Sequence, residues 1–305
     1  MSACIVDIGG TNIRYSFYSK GKKLRIKKGI IPSKKSFLNI LSDTFNESDK
    51  PIKDLVISAA GPKYKNTIEM TNQNFKIDSQ KIKKKFKLKN CFLLNDLEAA
   101  GYSLKNMSSK NNLILKKGNL INKNKVLVCP GTGLGLCLTI NDKLVVPSEI
   151  GNSKFFTFQI LQEYRNIDPS LFNKIEDFIS GPGLSRLHKS LYKKDLLPSE
   201  LINKASRKDP KALKTLDLFF EIFAKFLAEI SLVYMPGNGI FISGSLMRNL
   251  EKIINKEKFN KNFVEHVEKS HKKVLESFEI SLIKQEHLSV HGCKEFFNLT
   301  QKGLN

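Results

Sequence analysis

The sequence predicts an α/β protein of two lobes, and three observations predict it. An apolar strand that ends in an acid and a glycine turn, Ala3 to Arg14, opens the chain. The same strand–glycine–threonine arrangement returns at Lys125 to Gly135, opening a second half. Around both, strand-like and helix-like segments alternate, as in a sheet covered by helices.

In the first half the pattern predicts strands at 3–8, 12–19, 24–30, 54–59 and 91–94, with helices near 34–46, 79–85 and 97–104. A polar stretch, Lys105 to Asn124, then reads as the crossing between lobes. The second half predicts strand 125–129 with hairpin partners 135–140 and 143–146. Helices follow near 154–164, 173–178, 183–191, 198–206 and 210–234. Strand 239–243 ends in a third glycine turn, Ser243-Gly244-Ser245, before helices 246–254 and 261–272 and strand 278–283. A short helix from about Cys293 to Gln301 closes the chain and is expected to pack back on the first lobe. The expected lobes are therefore 1–108 plus about 289–305, and 109–288.

With 305 residues, 41% hydrophobic content and 21 Phe, the chain can bury a substantial core. The most apolar window, Leu216 to Met235, carries Asp217, Glu221, Lys225 and Glu229 at helical steps of four. That stripe marks a core helix with one wet edge, not a membrane span; a homodimer face on this helix stays open as the alternative. No charged-then-apolar leader precedes the first strand, so a secretory signal is not expected. Cys4, Cys91, Cys129, Cys137 and Cys293 show no Cys-x-x-Cys spacing, which fits free thiols in a cytoplasmic protein without structural zinc.

The net charge of +22 invites a nucleic-acid partner, which the composition argues against. Of 51 basic residues only Arg14, Arg25, Arg165, Arg186, Arg207 and Arg248 are arginine. Base and phosphate readers favour the planar fork of Arg, whereas these lysines are dispersed among polar neighbours.

The glycine turns carry the chemistry. Glycine lets backbone N–H groups approach anionic oxygens, and Asp7 adds a carboxylate where a Mg²⁺-phosphate would sit. Alone, the first segment is equally an ordinary strand-turn with Asp7 capping a bend; its recurrence at Pro130 to Gly135 points instead to two lobes clamping one phosphate chain. Asp96 follows a short strand and starts a helix, so on its own residues it is either an N-cap or a catalytic base. Asn95 beside it can both donate to and accept from a hydroxyl.

Nearly end to end, these residues resemble the bacterial glucokinases of the hexokinase–actin superfamily. The resemblance rests on Asp7-Ile8-Gly9-Gly10-Thr11-Asn12-Ile13-Arg14, Met70-Thr71-Asn72, Leu94-Asn95-Asp96 and Gly131-Thr132-Gly133-Leu134-Gly135. It continues through Pro147-Ser148-Glu149-Ile150-Gly151-Asn152, Glu176 with Ser180-Gly181-Pro182-Gly183-Leu184, and Phe241-Ile242-Ser243-Gly244-Ser245. It implies a two-lobed actin-like ATPase (ribonuclease-H-like) fold with a central ligand cleft, and transfer of phosphate from ATP to the 6-hydroxyl of glucose. Lobe closure would then exclude water. Asp96 becomes the general base, and Asn72, Asn95, Asp96, Glu149, Asn152 and Glu176 become sugar contacts. Val6, Asp7, Ile8, Gly9, Gly10, Thr11, Gly131, Thr132, Gly133 and Gly244 become ATP contacts, with Asp7 meeting Mg²⁺ through water.

Three departures bear on specificity. Asn152 stands where the family has a histidine, Ile150 replaces a glycine, and Ser245 stands at the second glycine of the adenosine turn. The C-terminal Ser289-Val290-His291-Gly292-Cys293 also departs from a glycine-rich ending. A kinase for another hexose or an amino sugar, and a sugar- or nucleotide-binding sensor without catalysis, are the rival readings. A repressor of related fold is disfavoured because strand one leaves no room for an N-terminal helix-turn-helix, and no His–Cys zinc cluster occurs.

Overall fold

Strand β1 (Ser2–Ile8) presents Ala3, Cys4, Ile5, Val6 and Ile8, all buried, as befits a central strand covered on both faces. The computed structural model describes residues 2–9, 12–31, 36–70, 76–107 and 112–303. Gly10, Thr11 and Asn72, three expected site residues, lie outside them. By packing, the chain divides into one unit of Met1–Met107, Asp142–Pro147 and Glu286–Asn305, and another of Ser108–Asn141 and Ser148–Gln285.

In the first unit β2 (Asn12–Ser19), β3 (Lys27–Ile30), helix α1 (Phe37–Asn46) and β4 (Asp54–Ala59) follow β1. Three short strands, β5 (Lys63–Tyr64), β6 (Thr67–Glu69) and β7 (Lys76–Asp78), make a separate small sheet. Helix α2 (Ser79–Lys85), β8 (Asn90–Asn95) and α3 (Asp96–Tyr102) complete the run. The main sheet has the order β3-β2-β1-β4-β8, with β1, β4 and β8 parallel and β2 and β3 antiparallel. Its core joins Val6, Ile8, Leu41, Leu55, Ile57 and Ile77.

The second unit repeats the plan. It holds β9 (Asn112–Lys116), β10 (Asn124–Pro130) and β11 (Leu134–Ile140); the chain then forms β12 (Leu144–Ser148). Helices α4 (Phe155–Glu163), α5 (Gly181–Tyr192), α6 (Pro198–Ser206) and α7 (Pro210–Tyr234) come next. Strand β13 (Ile240–Ile242), helices α8 (Ser245–Leu250), α9 (Lys256–Glu265) and α10 (Lys269–Ser277), and β14 (Ile280–Ile283) finish it. Strands run β11-β10-β13-β14-β9, again with an antiparallel hairpin partner beside three parallel strands. The last helix, α11 (Leu288–Thr300), packs on α3 in the first unit.

Several expected elements are revised. The polar crossing contains β9, which pairs with β14 and buries Lys116, whose ammonium donates to the carbonyls of Glu276 and Phe278. The expected helix 261–272 is two helices, α9 and α10, broken where His266 turns its Nε2 to Glu229 at 2.8 Å. At 173–178 only a 3-10 turn forms, Ile175–Asp177, because Asp177 takes the N–H groups of Asn173 and Lys174. Expected strand 24–30 shortens to β3, and helix 246–254 to α8, while α3 gives way to a 3-10 turn, Ser103–Asn106. Strands β5 to β7 were not expected, and α11 begins five residues early.

The stripe on α7 is the helix's less buried edge, as its spacing suggests, and it is tied by ion pairs. Asp217 pairs with Lys258 at 3.1 Å, Glu221 with Lys225 at 3.0 Å and with the Tyr164 hydroxyl at 2.7 Å. No helix among the described residues is long and apolar enough to cross a membrane.

Candidate active site

In both units the described residues expected at the phosphates, with Asn95 and Asp96, sit near or just beyond the carboxyl ends of parallel strands, where backbone leaves the ladder and its polar groups become available, whereas Glu149, Asn152 and Glu176 lie on turns. In the first sheet the register sets Asp7 beside Ser58 on β4 and beside Arg14 on β2, and sets Ala59 beside Asn95 on β8. Directly opposed residues share a face. Ser58 accordingly donates its hydroxyl to Asp7 Oδ1 at 2.9 Å, and Arg14 Nη1 donates to Oδ2 at 3.1 Å. Burial pushes the Asp7 carboxyl above the usual carboxylate range, while Ser58, Arg14 and the hydroxyl of Ser289 work against that shift. Ser58 and Ser289 come from distant segments and carried no local signal in the sequence.

The glycine turn after β1 is closed by Gly9 N–H donating to Asn12 O at 2.9 Å. Val6 and Ile8 bury their side chains, and Ile8 O accepts from Ala60 N–H at 3.3 Å. Any ligand contact from these two residues would be through backbone.

The turn from β8 to α3 divides two roles that the sequence left merged. Asn95 is the N-cap: its Oδ1 accepts from the N–H of Leu97 at 2.9 Å and of Glu98 at 3.4 Å, and its Nδ2 donates to Gly61 O at 2.9 Å. Glu98 returns the favour by accepting from Asn95 N–H at 3.1 Å, a capping box, and pairs with Lys63 at 2.9 Å. Asp96 is the first helical residue, half-buried, with its Oδ1 3.0 Å from Leu97 N. The cap is therefore Asn95, not Asp96.

In the second unit the phosphate-loop expectation falls on 131–135. Gly131 N–H bonds Gly133 O at 2.8 Å, and Gly131 O accepts from Gly181 N–H at 2.8 Å. Around the Cβ position of Gly131 there is nothing within 4 Å. Thr132 is exposed between the two glycines. Gly244 has φ of +108°, and a Cβ there would lie 2.7 Å from Pro130 O, so glycine alone fits this turn against the loop. Ser245 enters α8 as its first residue, outside the positive-φ set, so its side chain is accommodated.

Glu176 is built into that loop. Its Oε2 accepts from Leu134 N–H at 3.2 Å, and added Cβ atoms on Gly133 or Gly151 would approach it to 2.5 and 3.1 Å. A Gly151 Cβ would also meet Leu134 O at 2.3 Å. Lys174 Nζ lies 2.5 Å from Glu176 Oε1 and donates to Asn152 Oδ1 at 2.9 Å. Asn152 Nδ2 in turn donates to Glu149 Oε2 at 3.4 Å. Glu149, Asn152 and Glu176, separate in sequence, thus form one chain of contacts, and Lys174, unremarked in the sequence, is its link.

A glucokinase family model matches residues 4–300. The chain belongs to the glucokinase family. Among glucokinase relatives, that of Saccharophagus degradans is 28% identical, covering 95% of this chain and 96% of the relative. The structure is similar to a glucokinase from an Antarctic psychrotroph, with TM-score 0.83, 20% identity and coverage of 97% and 99%. It is also similar to a ROK-family glucokinase from Streptomyces griseus in complex with glucose and AMPPNP, with TM-score 0.65, 15% identity and coverage of 96% and 98%. The two-lobed actin-like fold expected from the glucokinase motifs is thereby met.

Proposed function

We propose that this glucokinase transfers the γ-phosphoryl group of ATP to the 6-hydroxyl of glucose, with Asp96 as general base. The observation that carries the base assignment is the division of labour at the β8–α3 turn: with Asn95 capping the helix, the Asp96 carboxylate is not needed as the cap. As the glucose oxygen attacks phosphorus and the bond to ADP breaks, Asp96 takes the hydroxyl proton. Glu149, Asn152 and Glu176 offer the acceptors that adjacent sugar hydroxyls require. The 131–135 loop and the Gly244 turn hold ATP, and the same hydrogen-bond logic extends to Asn72 and to Gly10-Thr11.

Mg²⁺ would arrive on ATP with several of its waters. Asp7 fits as its partner through water: Ser58, Arg14 and Ser289 donate to its carboxylate, and two oxygens with about four acceptor positions leave one for a water. When bound, Mg²⁺ would neutralise charge on the phosphates. The free cysteines suit a reducing compartment, and we place the reaction in the cytoplasm.

The test is Asp96→Asn. ADP release with glucose should fall about 10²–10⁴-fold, the usual contribution of a positioned base, while the glucose dissociation constant stays within about threefold. Turnover near that of the parent would remove Asp96 from the base role, and glucose-induced thermal stabilisation without any ADP in the parent would favour the sensor.

A further inference from the structure

We infer that Lys174 sets the charge selectivity of the sugar subsite, admitting neutral hexoses and turning away those that carry an ammonium group. The inference rests on the reading that Glu149, Asn152 and Glu176 face the sugar. Two carboxylates that line a hydroxyl-binding surface would, by themselves, attract a protonated amino sugar more strongly than its neutral counterpart. In this chain the Lys174 ammonium stands 2.5 Å from Glu176 Oε1 and balances that charge. Its second contact, to Asn152 Oδ1 at 2.9 Å, turns the amide so that Nδ2 faces Glu149. Both carboxylates therefore meet a donor from the protein before any sugar arrives.

An ammonium has three donors and no acceptor. Two point at Glu176 and Asn152 among the described residues, and the third can be accepted by a sugar hydroxyl but not by another ammonium. Lys174 is about a third exposed in its side chain, so its field reaches the subsite with only partial screening. Its placement is fixed from both sides: Ile175 N–H bonds Ser153 O at 2.9 Å, and Lys174 N–H bonds Asp177 Oδ2 at 3.2 Å.

The experiment compares kcat/KM for glucose and for 2-amino-2-deoxyglucose in the parent, Lys174→Met and Lys174→Arg, by coupled ADP release. At about pH 6.5, where an amine of this kind is protonated, Lys174→Met should raise the amino-sugar-to-glucose ratio about tenfold, and Lys174→Arg should keep the parental ratio. At about pH 9 the amine is neutral, so the methionine variant's ratio should return to within about twofold of the parent's. A ratio unchanged at the lower pH, or changed equally at both, overturns the proposal, since a merely structural loss depresses both sugars alike. If the parent releases no ADP with glucose, the kinase reading fails separately, and the same ratio is read from calorimetric dissociation constants. Failure of the parent to bind glucose overturns both.

Discussion

Gly292→Ala should loosen the support of the β8–α3 turn, and the structure says by how much. Gly292 lies on α11 where that helix crosses α3, and a Cβ built there would sit 1.6 Å from Ala99 O and 3.2 Å from Ser103 N. Ordinary contact begins at 3.4 Å, so the helices must part by nearly 2 Å. The obstacle is a backbone carbonyl inside a helix, which cannot swing aside as a side-chain end would. The same interface buries Val290, Cys293, Phe297, Ala99 and Tyr102, and holds the edge-to-face pairs Phe92–Phe296 at 5.3 Å and Tyr102–Phe296 at 5.2 Å. Overpacking of this kind costs about 1–3 kcal/mol, and each aromatic pair adds about 0.5–1.5 kcal/mol at risk. We expect a loss of about 3 kcal/mol, which at this chain size is about 5 °C in Tm. Because the proposed base, Asp96, is the first residue of α3, kcat should also fall roughly 10²-fold where the variant is still folded, the effect of misplacing a reacting group by about 1 Å. Thermal scans and coupled ADP release read both. A Tm within about 2 °C of the parent would refute the claim that α11 and α3 are in hard contact at this glycine.

Two further outcomes follow from single contacts. Gly131→Ala adds a methyl where nothing lies within 4 Å and φ is not positive, so Tm should hold within about 2 °C while the KM for ATP rises roughly tenfold; a rise confined to the glucose KM would remove Gly131 from the phosphate cradle. His188 is buried with Nδ1 2.9 Å from Thr215 Oγ1, whose own hydrogen is donated to Lys211 O, so Nδ1 carries a hydrogen toward that oxygen. Burial lowers its pKa below the ordinary 6.5, so the unfolded chain takes up the proton first as pH falls. Stability should be constant above about pH 7 and decline as pH drops through 6.5 toward the lowered value, and His188→Gln should flatten that decline in denaturant titrations. An identical pH profile in parent and variant would refute it.

What could be seen in the sequence was whatever is settled locally. A central strand buried on both faces, followed by a glycine turn, is a continuous stretch of chain, and β1, β10 and β13 were legible with their turns. So was the long α7, whose Asp209 cap and Pro210 start announce it. Strand β9 was hidden because Asn112–Lys116 is an edge strand whose one buried cation is satisfied by carbonyls more than a hundred residues away. The break between α9 and α10 depends on Glu229 of α7 reaching His266, and the early start of α11 on Gly292 meeting Ala99; neither neighbour is visible along the chain. Within the site, Asp7, Asn95 and Asp96 were legible as strand-end residues, whereas Ser58, Ser289 and Lys174 enter only through tertiary placement. The choice between cap and base at Asp96 was also beyond the sequence, since both residues of an Asn-Asp pair can cap and only geometry says which does.

The two sheets share one plan, an antiparallel hairpin strand beside three parallel strands, yet they have diverged in what they hold at the strand ends. The first places an acid inside the fold, where Ser58 and Arg14 must counter the cost of burying Asp7, and a second acid at the start of a helix whose cap is already supplied. For Asp7 that burial raises the carboxyl pKa, so its protonation is set by the protein rather than by solvent. The second places its acids on turns, Glu149 exposed and Glu176 partly buried, each tied to a donor that can be exchanged for a ligand hydroxyl. Those carboxylates suit recognition. Glu176 joins recognition to the phosphate loop, since one oxygen holds Leu134 N–H and lies against Gly133 while the other holds Lys174. On the proposed reading that Glu176 meets the sugar, a shift of this side chain on binding is transmitted to Leu134 and Gly133, and by reciprocity a shift of the loop is transmitted to Glu176.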